Sequence, residues 1–140
     1  MKKSQPIGVC ALLFNPDGEI LLGKRKNSYK AGFYGLPGGR IELNEPIEIA
    51  IKREVEEETG LKLNKLEYLG VVRENQGDYD FIHFIYVVKN ISMQPILCEP
   101  EKCESWIWLD KKKLKDNILP GHRAAIKMYY DGEVITDQTL

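Results

Sequence analysis

The chain has 140 residues, 43% of them apolar and 29% charged, with a formal net charge of −1 and a pI near 6.2. That is material for one well-buried core and too little for two, so a single domain over residues 1–140 is expected. The balance leaves no electrostatic footprint for duplex nucleic acid, no stretch approaches the roughly 20 apolar residues of a membrane span, and the polar start Met1-Lys2-Lys3-Ser4-Gln5 is no secretory leader. A cytoplasmic protein with a small-molecule partner is expected.

Ile7 to Phe14 and Glu19 to Lys24 are two β-rich runs joined by Asn15-Pro16-Asp17-Gly18, which predicts a hairpin. Asn27 to Arg40, rich in glycine and aromatics, predicts an irregular loop whose backbone comes close to something. Glu45 to Thr59 predicts a helix, with Pro46 at its start and Gly60 just past its end. Lys65 to Glu74 and Phe81 to Val88 predict strands around the turn Asn75-Gln76-Gly77-Asp78, and Ser105 to Leu109 a further short strand. After a polar connection from Lys111 to Asn117, Gly121 to Tyr130 predicts a closing helix with Ala124, Ala125 and Met128 on one face. Strands interrupted by two helices favour a mixed sheet with helices packed against it. Cys10, Cys98 and Cys103 are odd in number and, with two His in the chain, lack the four clustered ligands of a structural zinc site; reduced thiols are expected.

The early helix carries the chemistry. With Glu54 as zero and about 100° per residue, Glu57 falls near −60° and Glu58 near +40°, while Glu56 lies on the opposite side. Ile47, Ala50, Ile51 and Val55 share that sector, so the three carboxylates extend the apolar stripe and are expected to look inward. They repel one another, lose water, and sit where the helix dipole disfavours negative charge. Lys52 and Arg53 supply part of the compensation. Hard oxygen donors beside a glycine-rich loop are what Mg²⁺ or its substitute Mn²⁺ requires, and Mg²⁺ is usually completed by substrate phosphates. A carboxylate of the cluster, its pKa raised by acidic neighbours, is also suited to accept a proton from an attacking water.

Gly39-x5-Glu45-x7-Arg53-Glu54-Val55-x-Glu57-Glu58-x-Gly60-Leu61 matches the Nudix box at every position. The likeness extends from Leu21-Leu22-Gly23-Lys24-Arg25 through Leu36-Pro37-Gly38-Gly39 to Glu99-Pro100-Glu101-Lys102-Cys103-Glu104-Ser105-Trp106. Over most of its length the chain resembles the MutT-like diphosphatases of the Nudix hydrolase family. The resemblance implies an α/β fold, an α/β/α sandwich with a mixed central sheet. It also implies Mg²⁺ dependence and attack of water at phosphorus, giving a nucleoside monophosphate and pyrophosphate.

Carried over by position, the resemblance implies that Glu54, Glu57 and Glu58 bind metal, that Glu54 also orients or deprotonates water, and that Gly38 offers its carbonyl to the metal. Gly39, Glu45 and Arg53 support the site, the last two as a pair bracing the loop–helix junction. Glu101 is ranked first for a further metal acid, with Glu99 and Glu104 as rivals. Arg25 resembles a phosphate contact, beside its alternative as a solvated strand-end charge. Phe33, Tyr34, Tyr79 and His122 are candidates to hold a base, each equally readable as core or, for His122, as a helix cap; Trp106 and Trp108 are read first as core. The leading substrate is a (deoxy)nucleoside triphosphate of the oxidised-guanine kind. Alternatives are ADP-ribose or a nucleotide sugar of the GDP-mannose type, and a nucleotide sensor without turnover, whose expected mark, a missing carboxylate, is absent. Members of this size are often homodimers.

Overall fold

The computed structural model describes residues 5–133 and the backbone of 137–139; the polar start at Met1–Ser4 lies outside them. Strands β1 (Ile7–Leu13), β2 (Ile20–Arg25), β3 (Tyr34–Gly35) and β4 (Gly38–Arg40) precede helix α1 (Ile47–Thr59). Strands β5 (Glu67–Asn75), β6 (Asp80–Val88) and β7 (Cys103–Leu109) follow, then a 3₁₀ turn (Lys111–Lys113), helix α2 (Pro120–Asp131) and β8 (Asp137–Thr139).

The strands form a mixed five-stranded sheet in the order β4-β1-β6-β5-β8 and a three-stranded sheet in the order β3-β2-β7. The expected hairpin is therefore corrected. Its turn exists, with the Gly18 N–H donating to the Asn15 carbonyl and a single bridge between Phe14 and Ile20. Beyond that bridge the strands part, because both edges of β1 are occupied, by antiparallel β4 and parallel β6. β2 pairs instead with β3 and β7. The segment Asn27–Arg40 is likewise less irregular than expected, since it contributes β3 to one sheet and β4 to the other.

Period-two alternation along β1 builds two cores. Val9, Ala11 and Leu13 pack with Ala50, Ile51 and Val55 of α1, whereas Cys10, Leu12 and Phe14 pack with Ala124, Ala125 and Met128 of α2. The two helices thus cover opposite faces and the fold is an α/β/α sandwich. Each fully buried aliphatic side chain here, Ile51 and Val55 among them, contributes about 1.5–3 kcal/mol. No helix among the described residues is long and apolar enough to cross a membrane.

Helix α1 begins after Pro46, whose extended backbone (φ −61°, ψ 145°) serves as N-cap, and ends at Gly60, left-handed at φ 74°, whose N–H returns to the Glu56 carbonyl. The backbone N–H groups of Ile96 and Cys98 donate to the Thr59 and Glu58 carbonyls. Two otherwise orphaned helix-end acceptors are thereby satisfied, and the segment leading to Glu99 is laid against the acidic end of α1.

Candidate active site at the C-terminal end of helix α1

At Gly38 and Gly39 strand β4 lies so close to β1 and α1 that side chains are excluded there. A Cβ on Gly38 would collide with the Val9 carbonyl oxygen, and one on Gly39 with the Glu54 carboxylate. This close approach lets the Gly38 N–H donate to Glu58 Oε1 at 2.7 Å. Burial, with repulsion from Glu54 and Glu99, nevertheless pushes the Glu58 carboxyl up to about 8. Glu54, only 17% exposed in its side chain, is also raised by burial, against the hydrogen bond and charge of Arg53. Glu57 departs from the inward placement expected of all three: its side chain is 51% exposed at the rim. Glu56 is exposed, as the helical wheel places it.

Arg53 joins these parts. Its Nε and Nη2 donate to both oxygens of Glu45 at 2.6 and 2.9 Å, its Nη1 to Glu54 at 2.9 Å and Glu57 at 3.3 Å, and its Nη2 to the Arg40 carbonyl at 3.1 Å. The fork fixes the β4–α1 junction at its two ends. Its hydrogen bonds hold Glu45 at about 2, well below the usual carboxylate range.

In front of Glu58 opens a cleft of about 340 Å³, lined among others by Arg25, Lys26, Lys102, Glu99, Glu101 and Trp106. Acids for a cation and bases for an anion therefore share one concavity. Arg25 spends two of its five N–H donors on the loop beyond β2, Nε on the Tyr29 carbonyl at 2.8 Å and Nη2 on Ser28 Oγ at 3.2 Å.

Of the three acids weighed after Cys98, the charge of Glu99 reaches both Glu54 and Glu58. Glu101 is exposed on the cleft wall, while Glu104 pairs with Lys24 at 3.3 Å. Both Glu99 and Glu101 line the cleft, and the hydrogen bonds of residues 96 and 98 to α1 carry Glu99 closer to the acidic helix end than Glu101, the acid ranked first from sequence. Lys26, Lys102 and Trp106 were not singled out for the site from sequence. In the structure the Trp106 indole lies over Gly23 and its Nε1 is buried without a partner, which no local sequence signal announces.

The aromatic candidates lie elsewhere. Phe33 sits under the Lys30 ammonium at 4.9 Å, Tyr34 packs on the α2-side core, and Tyr79 stacks on Tyr29 at 3.8 Å. His122 is 5% exposed and accepts the Leu36 N–H at 2.8 Å through Nδ1. It is neither in the cleft nor a helix cap, because its ring points into the core. Cys10 and Cys103 are buried free thiols and Cys98 an exposed one.

The carboxylates of Glu54 and Glu58, with the charge of Glu99 reaching both and Glu57 at the rim, fit a hard divalent cation: the repulsion and burial of the first two are what a dication would relieve.

Residues 4–130 match the NUDIX domain family model. A segment of 66 residues is 46% identical to ADP-ribose pyrophosphatase of Methanocaldococcus jannaschii, covering 47% of this chain and 39% of that protein. Over 96 residues the chain is 31% identical to oxidized purine nucleoside triphosphate hydrolase of Danio rerio, covering 67% of this chain and 61% of that one. The match thus spans less than two thirds of either curated relative. The crystal structure of a MutT NUDIX hydrolase from Burkholderia pseudomallei superposes with a TM-score of 0.82 at 32% identity, covering 89% of this chain and 98% of that one. With the acidic helix, its glycine strand and this match over nearly its whole length, the chain belongs to the Nudix hydrolase family and is MutT-like in fold.

Proposed function

We propose that the protein is a divalent-cation-dependent hydrolase of a nucleoside diphosphate linked to another group, with (deoxy)nucleoside triphosphates, oxidised ones included, as preferred substrates. The observation that carries this reading is one cleft on which Glu58, held at β4 and with the charge of Glu54 behind it, meets Arg25, Lys26 and Lys102. A polyphosphate carrying Mg²⁺ needs both signs of charge within one site.

In this reading Glu54, Glu57 and Glu58, with Glu99 and the Gly38 carbonyl, hold the cation. When bound, the cation supplies charge neutralisation and a more acidic water. Water oxygen bonds to phosphorus, the bridging anhydride P–O bond breaks, and pyrophosphate leaves with that bond's electrons. Glu54, largely buried and raised above its ordinary range, takes the proton from water, while Arg53 keeps it aimed. Arg25 and the two lysines hold phosphate oxygens, and the indole of Trp106 forms an apolar wall.

A second reading, cleavage of ADP-ribose or a nucleotide sugar, is favoured by the 46% identity to a protein named ADP-ribose pyrophosphatase. One panel separates them: identification of all products, nucleotides and sugar phosphates as well as phosphate and pyrophosphate, from oxidised and normal triphosphates, ADP-ribose, GDP-mannose and dinucleoside polyphosphates, with and without chelator. Pyrophosphate from triphosphates, abolished by chelation, is expected. Turnover confined to ADP-ribose or a nucleotide sugar would overturn the substrate class and keep the site.

A further inference from the structure

Behind the cleft, on the α2 side of the sheet, Cys10, His83 and His122 lie with one ligand atom each within 4.8 Å of one another, all buried. Cys10 Sγ is 3.5 Å from both His122 Nε2 and His83 Nδ1. The protons on these atoms follow from a bond at one end. Leu36 can only donate, so His122 Nδ1 must be an acceptor. The buried ring is neutral, because burial and the neighbouring His83 and Arg25 hold its pKa well below the ordinary value. A neutral ring that accepts at Nδ1 carries its proton on Nε2, where it points at the Cys10 sulfur. The thiol hydrogen of Cys10, whose pKa burial pushes far up, is then free to point at His83 Nδ1. His83 keeps its own proton on Nε2, which is buried without a partner.

A metal ion does not suit this cluster. A cation on His122 Nε2 would force the proton to Nδ1, donor against donor, 2.8 Å from the Leu36 nitrogen. The row is a one-way chain of hydrogen bonds that starts at a backbone N–H of the active-site segment and runs to His83.

That segment crosses between sheets. Tyr34–Gly35 belongs to β3 in the smaller sheet and Gly38–Arg40 to β4 in the larger, with Leu36-Pro37 as the bridge. Pro37 has no N–H to anchor, and its carbonyl accepts from the Ala11 N–H at 3.0 Å. The Leu36 N–H is therefore the bridge's one backbone donor, in a residue 6% exposed, where an unpaired donor would be expensive. Gly35 leaves room for the imidazole, since a Cβ there would stand 3.1 Å from His122 Nδ1. Two residues on from Leu36, Gly38 donates to Glu58, and Gly38 is also the register partner of Cys10. Cys10 thus seats the ring with its side chain and pairs with β4 through its backbone.

We propose that His122, seated by Cys10, is a positioning residue of the active site: it fixes Leu36, and through Leu36 the register of Gly38 against Glu58. This rests on the proposed cation site at Glu54, Glu57 and Glu58.

The test compares His122→Phe, which fills the space without an acceptor, with His122→Gln, whose amide oxygen can accept. On the substrate the wild type turns over best, His122→Phe should lower kcat by roughly tenfold to a hundredfold, as a small misplacement of catalytic groups does. It should also raise the Mg²⁺ concentration for half-maximal rate, which a mere loss of folded molecules would not move, and His122→Gln should recover part of both. A His122→Phe enzyme with wild-type kcat and Mg²⁺ dependence overturns the inference. Nitrogen-15 spectra of wild-type His122 test it independently, with no need for turnover or a folded variant. An Nε2–H tautomer with a protected Leu36 amide supports the inference, and an Nδ1–H tautomer overturns it. A wild-type protein silent across the substrate panel would sink the proposed function alone, leaving these spectra to decide.

Discussion

Glu58 joins burial and charge most sharply. Its carboxyl titrates at about 8 when folded against 4.5 when free, first because burial disfavours the anion. Between those values the folded state holds a proton that the unfolded chain has released, so cation-free stability is full below about pH 4.5 and is lost as pH rises through about 8. At about 1.4 kcal/mol per pKa unit, the loss amounts to a few kcal/mol. In chelator, urea midpoints of Glu58→Gln should fall less between about pH 5 and about pH 8 than those of the wild type; an unchanged difference would contradict the burial argument. Glu57, exposed at the rim, has no such structural stake. Glu57→Gln should therefore keep the fold, by its melting curve, and lose most turnover; wild-type activity would refute its place on the cation. The shared face of Glu54 and Glu58 was legible in sequence because their spacing is local and a helix converts it to a face, whereas the turn of Glu57 to the rim was not. Glu99 against Glu101 was not legible either, since hydrogen bonds from residues 96 and 98 decide which one lies closer to the acidic helix end. Nor was the grouping of Cys10 with His83 and His122, 73 and 112 residues away in the chain.

At the scale of elements, α1 ends in Glu56, Glu57 and Glu58 with no basic residue in its last turn, which its dipole disfavours. Arg53 and the backbone donors of residues 96 and 98 offset this. Arg53→Lys keeps the charge and loses the fork to Glu45 and the bond to Arg40. It should destabilise by about 1.5–3 kcal/mol, read by denaturant titration, and lower kcat more than it raises KM, because it loosens Glu54 without touching substrate. The boundaries of α1 were legible from Pro46 and Gly60. The parting of β1 from β2 was not, since a turn sequence specifies the reversal and not which sheet edges are free beyond it. Strand β4 was hidden for a related reason: its glycines read as a loop, and close approach to β1 and Glu54 makes them a strand.

For the molecule as a whole, α1 and α2 pack on opposite faces of β1, and the acidic site hangs on one of these cores. A divalent cation that binds only the folded state should stabilise it, by about 2.7 kcal/mol at a hundredfold excess over Kd. Melting with Mg²⁺ should thus exceed melting in chelator, and the gap should close in Glu58→Gln; a gap of equal size in that variant would place the cation elsewhere. The most direct measurement is hydrolysis in oxygen-18 water with Mg²⁺, followed by mass analysis of the products. One labelled oxygen on a phosphate-containing product, with no reaction after chelation, is the result the site predicts. Label on a sugar hydroxyl, or an undiminished rate in chelator, would contradict it.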